Sequence, residues 1–173
     1  RCLVGSEMCI RDRVVLTDIE ESKLKVAKEE LSSYGDLISV KQADVSNPKS
    51  MDDLNSFVTK EIGDVQLLFN NAGVAPAELQ SIWDTKPNDW NWAYGVNVMG
   101  VVHGIQAFVP SMLAHDKDAR VINTCSGNGA FINLPSTPIY TSSKAAVSSI
   151  TEVLKLQLEQ MQSKIKVSIL FPG

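Results

Sequence analysis

From Val14 onward, short apolar runs alternate with longer amphipathic ones, and this alternation constrains the fold more than any other feature of the chain. Residues 14–17, 37–40, 65–69, 120–123 and 166–171 are β-branched and apolar without polar interruption at every second position, the pattern of buried parallel strands. Between them the apolar period lengthens to that of a helix. Residues 21–34 put Leu24, Ala27 and Leu31 on one face, and Gly35 stops them. Asn47 as cap and Pro48 as first residue open a second helix, with Met51, Leu54, Phe57, Val58 and Ile62 as its stripe. Longer helices are predicted over about 89–114 and 140–162, separated by the 120–123 strand and a Gly/Pro-rich loop over 124–138. The order predicts an α/β fold, a doubly wound parallel sheet with helices on both faces and the 65–69 strand near its centre.

Ligands of such sheets bind beyond the carboxyl ends of the strands. Those ends carry Asp18, Asp44–Val45, Asn70 to Gly73, Thr124 to Ser126, and Pro172–Gly173. An acid such as Asp18 can accept from both ribose hydroxyls of an adenosine and repels a 2′-phosphate, which favours NAD over NADP; as an alternative it is a helix cap or a surface acid. Asn70-Asn71-Ala72-Gly73 makes a tight turn of small residues that backbone and ligand can approach closely, or else a plain turn. Asn70 can tie neighbouring strands, and Asn71 to Gly73 can face a ligand. Tyr140 and Lys144 stand one helical turn apart and point the same way. A free tyrosine, with a pKa near 10, is a poor acid or base at neutral pH. A fixed ammonium beside it favours the phenolate, lowers that pKa and suits it to proton transfer. The plainer alternative is an interfacial Tyr and a solvated Lys.

Composition removes several classes. A net charge of -4 without a basic patch argues against nucleic acid. No apolar run reaches the length of a membrane span. Cys2, Cys9 and Cys125 are odd in number and lack metal-ligand spacing, so no metal site and a reduced, cytoplasmic protein are expected. Residues 1–13 hold two of the three cysteines and show neither strand nor helix period. They are expected to be a non-native leader, with the domain running over 14–173. His103 and His115 read as structural or solvated, Asp52 and Asp53 as a solvated helix start, and Trp90, Trp92 and Tyr94 as core or interface.

Taken in order, Asp44–Val45 after a strand, Asn70-Asn71-Ala72-Gly73, Asn97 between Val96 and Val98, Ser126 after Ile122 to Cys125, Tyr140-x-x-x-Lys144 and Pro172–Gly173 form one pattern. It resembles the short-chain dehydrogenase/reductase family, of the branch usually called classical, from about Val14 to the last residue. The resemblance implies a Rossmann-like fold and an NAD(P)-dependent oxidoreductase that interconverts a secondary alcohol and a ketone. It implies that Ser126 holds the substrate oxygen and that Tyr140 is the general acid/base. Lys144 lowers the Tyr140 pKa and binds the nicotinamide ribose; Asn97 sits at a mid-helix kink whose freed carbonyl holds a water. The expected cofactor contacts are Asp18, Asp44, Val45, Asn71, Ala72, Gly73, Tyr140, Lys144, Pro172 and Gly173, with NAD as the cofactor and NADP the alternative. In relatives the helices carrying Asn97 and Tyr140 form a subunit interface, which implies a homodimer or homotetramer.

The departures matter too. The family's phosphate loop, Thr-Gly-x-x-x-Gly-x-Gly, belongs on a strand roughly 30 residues before Asp18 by the size of a βαβ unit. Only 17 residues precede Asp18, and Gly5 is their sole glycine. The chain is therefore expected to be an internal fragment of an enzyme of roughly 250 residues, lacking the first strand, with its glycine loop, and the last. The lost first strand belongs between the 14–17 and 65–69 strands. Cys125 stands where many relatives carry Ser, and is expected to pack inward. Phe131, Ile132 and Leu134, with the 74–79 stretch opposite, point to a small apolar alcohol or carbonyl substrate. Two other readings are an inactive truncated or regulatory member, and an epimerase or dehydratase of the extended branch; the Asn-Asn-Ala-Gly turn speaks for the classical branch.

Overall fold

A computed structural model of the chain describes residues 13–76 and 81–172. The expected leader, apart from Arg13, lies outside the described residues, as does Gly173. Two compact units divide the chain after Ala43.

The first unit contains β1 (Val14–Asp18), α1 (Glu21–Glu30), a 3-10 stretch (Ser32–Leu37) and β2 (Ile38–Gln42). The strands pair in parallel, from Val14 opposite Ile38 to Asp18 opposite Gln42, and α1 packs on both through buried Leu24. The expectation of a buried β1 is corrected: Val14 to Leu16 are half-buried, and Thr17 and Asp18 are exposed. A two-stranded pair with one helix has cover on one face only. The first helix also stops short of Tyr34. Its α-helical bonding ends at Glu30, and the chain tightens through Ser32 and Ser33, whose hydroxyls favour turns. Gly35 follows at φ 55°, a conformation that glycine adopts without steric cost.

The second unit contains α2 (Pro48–Glu61), β3 (Leu67–Asn70), a 3-10 turn (Ile82–Asp84), α3 (Pro87–Tyr94), α4 (Gly100–His115), β4 (Ala119–Thr124), a single turn α5 (Gly127–Ala130), α6 (Pro138–Gln160) and β5 (Ile165–Leu170). Asn47 caps α2 as expected, its side chain accepting from Lys49 N at 3.1 Å, and Met51, Leu54 and Val58 are buried. The three strands are parallel in the order β3-β4-β5. Thus β4 is the central strand of this sheet and β3 an edge, where the sequence placed 65–69 near the centre. α4 packs on β3 and on α2, and α6 on β4 and β5, so the parallel, helix-covered layering of a Rossmann-like fold is present. Buried Val101, Cys125 and Val147 join α4, the end of β4 and α6 into one apolar core, with Ile105, Ile150, Ile169 and Phe171 against it.

The helix expected over 89–114 is two helices joined by a π-turn, Gly95–Met99, in which Gly100 N donates to Gly95 O. From Pro87 to His115 it spans 29 residues and, with a mean hydropathy of 1.4 over an 18-residue window, is long and apolar enough to cross a membrane. This corrects the sequence reading, which counted only uninterrupted runs and missed the apolar average. The reason for that average is internal: 56% of the apolar window is buried, and Val101, Ala107, Phe108, Val109 and Met112 all face the core.

Candidate active site

The π-turn holds Asn97, whose side chain is fully buried. Its Oδ1 accepts from Val74 N at 2.7 Å, and its Nδ2 donates to Val74 O and to Ser143 Oγ, both at 2.9 Å. Ser143 Oγ donates in turn to Tyr140 O at 2.8 Å. One amide thereby ties the chain after β3 to the first turn of α6. A π-turn breaks the regular bonding ladder, and such turns recur at functional sites.

On α6, Tyr140 and Lys144 share one side. The Lys144 ammonium lies 5.7 Å from the Tyr140 ring centroid, inside cation–π range. Lys144 is buried, 4% exposed, and its Nζ donates to Thr124 O at 3.0 Å. Burial pulls the ammonium below its usual 10.5, and the Cys125 sulfur acts weakly in the other sense. The Asn70–Gly73 turn leans on this group. A Cβ on Gly73 would stand 3.3 Å from Lys144 Nζ, a tight approach, and 3.5 Å from Asn97 Oδ1, an ordinary contact. Asn70 ties the strands as expected: its Nδ2 donates to Asn123 Oδ1 at 2.8 Å, and Asn123 Nδ2 continues to Thr151 Oγ1 on α6 at 2.9 Å. Asn71 is exposed, and its Oδ1 accepts from Thr124 Oγ1 at 2.9 Å.

Ser126 caps α5; its Oγ accepts from Asn128 N at 3.2 Å, which leaves its O–H to donate. The neighbouring Cys125 points inward, 2% exposed, with its thiol donating to Lys144 O at 3.1 Å. Three residues on, Gly129 at φ 96° presses the loop onto α6. A Cβ there would collide with Thr141 O and lie 2.9 Å from Ala145 N. The ends of β3 and β4, the π-turn and the start of α6 thus gather Asn71, Gly73, Asn97, Lys144 and Tyr140, with Ser126 on the loop that α6 holds.

The other expected residues have surroundings of their own. Asp18 belongs to the first unit, at the exposed end of β1, where its Oδ1 accepts from Glu20 N at 2.8 Å. Asp44 Oδ1 is engaged by Ser46 N at 2.9 Å and Ser46 Oγ at 2.7 Å. Val45 packs against Gly100, and its carbonyl meets His103 Nδ1 at 2.9 Å. His115 Nε2 meets Val65 O at 3.0 Å, so both histidines bond to backbone. Ala72 is exposed on the turn, and Pro172 is exposed after β5. Leu134 lines an apolar cleft of about 670 Å³ with Ile82, Trp83, Pro135 and Ala145, while Phe131 packs at a tilt on Phe171, ring centroids 4.7 Å apart. Of the 74–79 wall, residues 77–79 lie outside the described residues. Three residues carry the geometry through bonds that sequence reasoning did not assign them: Thr124, Ser143 and Val74. Thr124 had a signal, as the last residue of a strand. Ser143 and Val74 had none, because their partner Asn97 is more than 20 residues from either.

The family model for short chain dehydrogenase matches residues 8–173. A 1-deoxy-11-beta-hydroxypentalenate dehydrogenase of Streptomyces avermitilis is 30% identical, over 93% of this chain and 58% of its own. A short chain dehydrogenase/reductase of Burkholderia phymatum, solved in complex with NAD, is 39% identical with a TM-score of 0.88, over 92% of this chain and 56% of its own. A metagenomic short-chain oxidoreductase solved in complex with NADP is 27% identical with a TM-score of 0.82, over 93% of this chain and 71% of its own. The chain spans about half the length of the curated relatives it matches. With a family match over nearly all its residues and the parallel layering that accompanies it, the chain belongs to the short chain dehydrogenase family.

Proposed function

We propose that the whole protein is an NAD(P)-dependent oxidoreductase that interconverts a secondary alcohol and a ketone, with Tyr140 as general acid/base. The observation that carries the reading is the buried Lys144 ammonium over the Tyr140 ring, beside the one turn residue without a side chain. That arrangement sets a buried amine one helical turn from the phenol whose proton the proposed reaction moves. Ser126 holds the substrate oxygen by donating its O–H, which stabilises charge developing on that oxygen. Asn97 acts at one remove, bracing Val74 and, through Ser143, the first turn of α6.

The residues present fit a nicotinamide dinucleotide. Asn71 to Gly73 are exposed beyond β3, and Gly73 leaves the space in front of Lys144 Nζ clear of a side chain. Lys144, Asn71 and the turn backbone would hold the cofactor ribose; Asp44, Val45 and Pro172, and Asp18 in the first unit, are cofactor contacts on the family pattern alone. Asp18 favours NAD, and the relatives solved with NAD and with NADP support a dinucleotide of this class. When bound, the nicotinamide supplies or accepts the hydride. The exposed Ile82, Trp83 and Leu134 support an apolar substrate. Exposed Trp92, Met99, Val153 and Leu156, on the helices carrying Asn97 and Tyr140, support pairing of subunits through those helices.

The test is net absorbance change at 340 nm when the full-length protein meets NAD or NADP and a panel of apolar secondary alcohols. Sustained NADH or NADPH formation is expected. Substrate conversion without net reduced cofactor would move the protein to the epimerases, which recycle theirs.

A further inference from the structure

Thr124 is the last residue of β4, and it is buried. Its neighbours pin it: it stands opposite Leu170 of β5, and the next residue, Cys125, donates its N–H to Leu170 O at 2.8 Å. Its two polar side-facing groups are spent on two different elements. The hydroxyl donates to Asn71 Oδ1 at 2.9 Å, and the carbonyl accepts from Lys144 Nζ at 3.0 Å. Each bond selects an orientation. Since the Asn71 oxygen is taken, its carboxamide NH₂ is turned away from Thr124, on an exposed residue. One Lys144 N–H is taken by a carbonyl, and an ammonium has two more to offer a ligand beside Gly73, where no side chain intervenes. Both results present donors, and a sugar hydroxyl or an amide oxygen is the partner that donors need.

We propose that Thr124 is a positioning residue for the cofactor: its hydroxyl orients the Asn71 carboxamide so that the NH₂ faces the bound dinucleotide, while its carbonyl anchors Lys144 beside the same turn. The inference rests on the dinucleotide reading above. The hydroxyl can be removed at constant shape by Thr124→Val, restored by Thr124→Ser, and made irrelevant by Asn71→Ala. Without its anchor the carboxamide rotates freely, and its bond to the cofactor carries an ordering cost.

The experiment is fluorescence titration of the full-length protein with NADH, with thermal unfolding of each variant alongside. Thr124→Val is expected to weaken NADH binding about fivefold, the scale of one neutral hydrogen bond, and Thr124→Ser to return it to within about twofold. The double variant Thr124→Val/Asn71→Ala is expected to bind as Asn71→Ala alone, since the threonine hydroxyl acts only through that amide. Unchanged NADH affinity in Thr124→Val, or additive losses in the double variant, overturns the inference while leaving the dinucleotide reading intact. If Thr124→Val unfolds, the Ser variant and the Asn71→Ala variant decide: loss of affinity in Ser equal to that in Asn71→Ala overturns it. A wild-type protein that binds neither NADH nor NADPH overturns the dinucleotide reading and this inference together.

Discussion

Lys144 is under two opposed demands. The proposed chemistry wants a charge beside Tyr140, yet burial disfavours that charge and lowers the lysine pKa. The unfolded chain holds the proton up to about the ordinary 10.5, and the folded chain releases it earlier. Between the two values the unfolded state binds more protons, so stability rises with pH across that alkaline window. Below it the full penalty for a buried ammonium applies. Lys144→Met, which keeps the volume and removes the charge, is therefore expected to melt no lower than wild type at pH 7, with an advantage that shrinks as pH rises toward 10; paired thermal melts at the two pH values check it. The same variant loses turnover. Tyr140→Phe removes only the phenol oxygen and is expected to cost about 10²–10⁴ in rate while sparing NADH affinity, the scale of general acid/base catalysis. Residual activity above about a tenth of wild type would remove Tyr140 from the proton-transfer role. At this scale the sequence was informative where chemistry is local. The Tyr140–Lys144 spacing needs only a helix to become a shared face, and Asn47 needs only Pro48 after it to become a cap. It was silent on Ser143 and Val74, because their significance is a bond to Asn97 across 46 and 23 residues.

Among the elements, the loop after β4 depends on α6 for its shape. Gly129 has a φ of 96° and touches the α6 backbone, so Gly129→Ala meets both a strained dihedral and a collision with peptide atoms that cannot turn aside. A loss of about 2 kcal/mol or more is expected, seen as a fall of roughly 4–8 °C in Tm, and with it weaker catalysis through a displaced Ser126. Gly63 is the control: its φ of 117° is equally unfavourable, but nothing lies within 4 Å of an added Cβ. Gly63→Ala should cost the dihedral strain alone, and equal losses in the two variants would dismiss the packing argument. Element identities were legible from period, and their edges less so. The π-turn in 87–115 follows from one shifted backbone bond, which leaves no trace in hydrophobic spacing.

At the scale of the whole molecule, surface charge contributes little. Every ion pair found among the described residues has side chains between 43% and 83% exposed, including Lys117–Asp64 at 2.6 Å and Lys164–Asp116 at 2.8 Å. Lys117 does hold the Asp64 carboxyl below its ordinary value, an effect lost as pH falls through it, but water screens the pair. Raising NaCl from about 50 mM to 500 mM is expected to move the melting temperature by less than about 3 °C, because exposed pairs are worth roughly 0–1 kcal/mol each. A larger shift would assign stability to charge instead of to the core of Val101, Cys125 and Val147. What the sequence determined alone was the succession of parallel strands and helices, the strand ends where a ligand belongs, and the family pattern carried by Asn70 to Gly73, Asn97, Ser126, Tyr140 and Lys144. Those follow from apolar period and from residue types whose chemistry is expressed within one turn or one strand end. The tertiary structure alone decided that β3 is an edge strand of its sheet, that Thr124 holds both Asn71 and Lys144, and that Lys144 is buried. Each of these depends on which distant segments pack together and exclude water, and a linear pattern of residue types does not encode that distance.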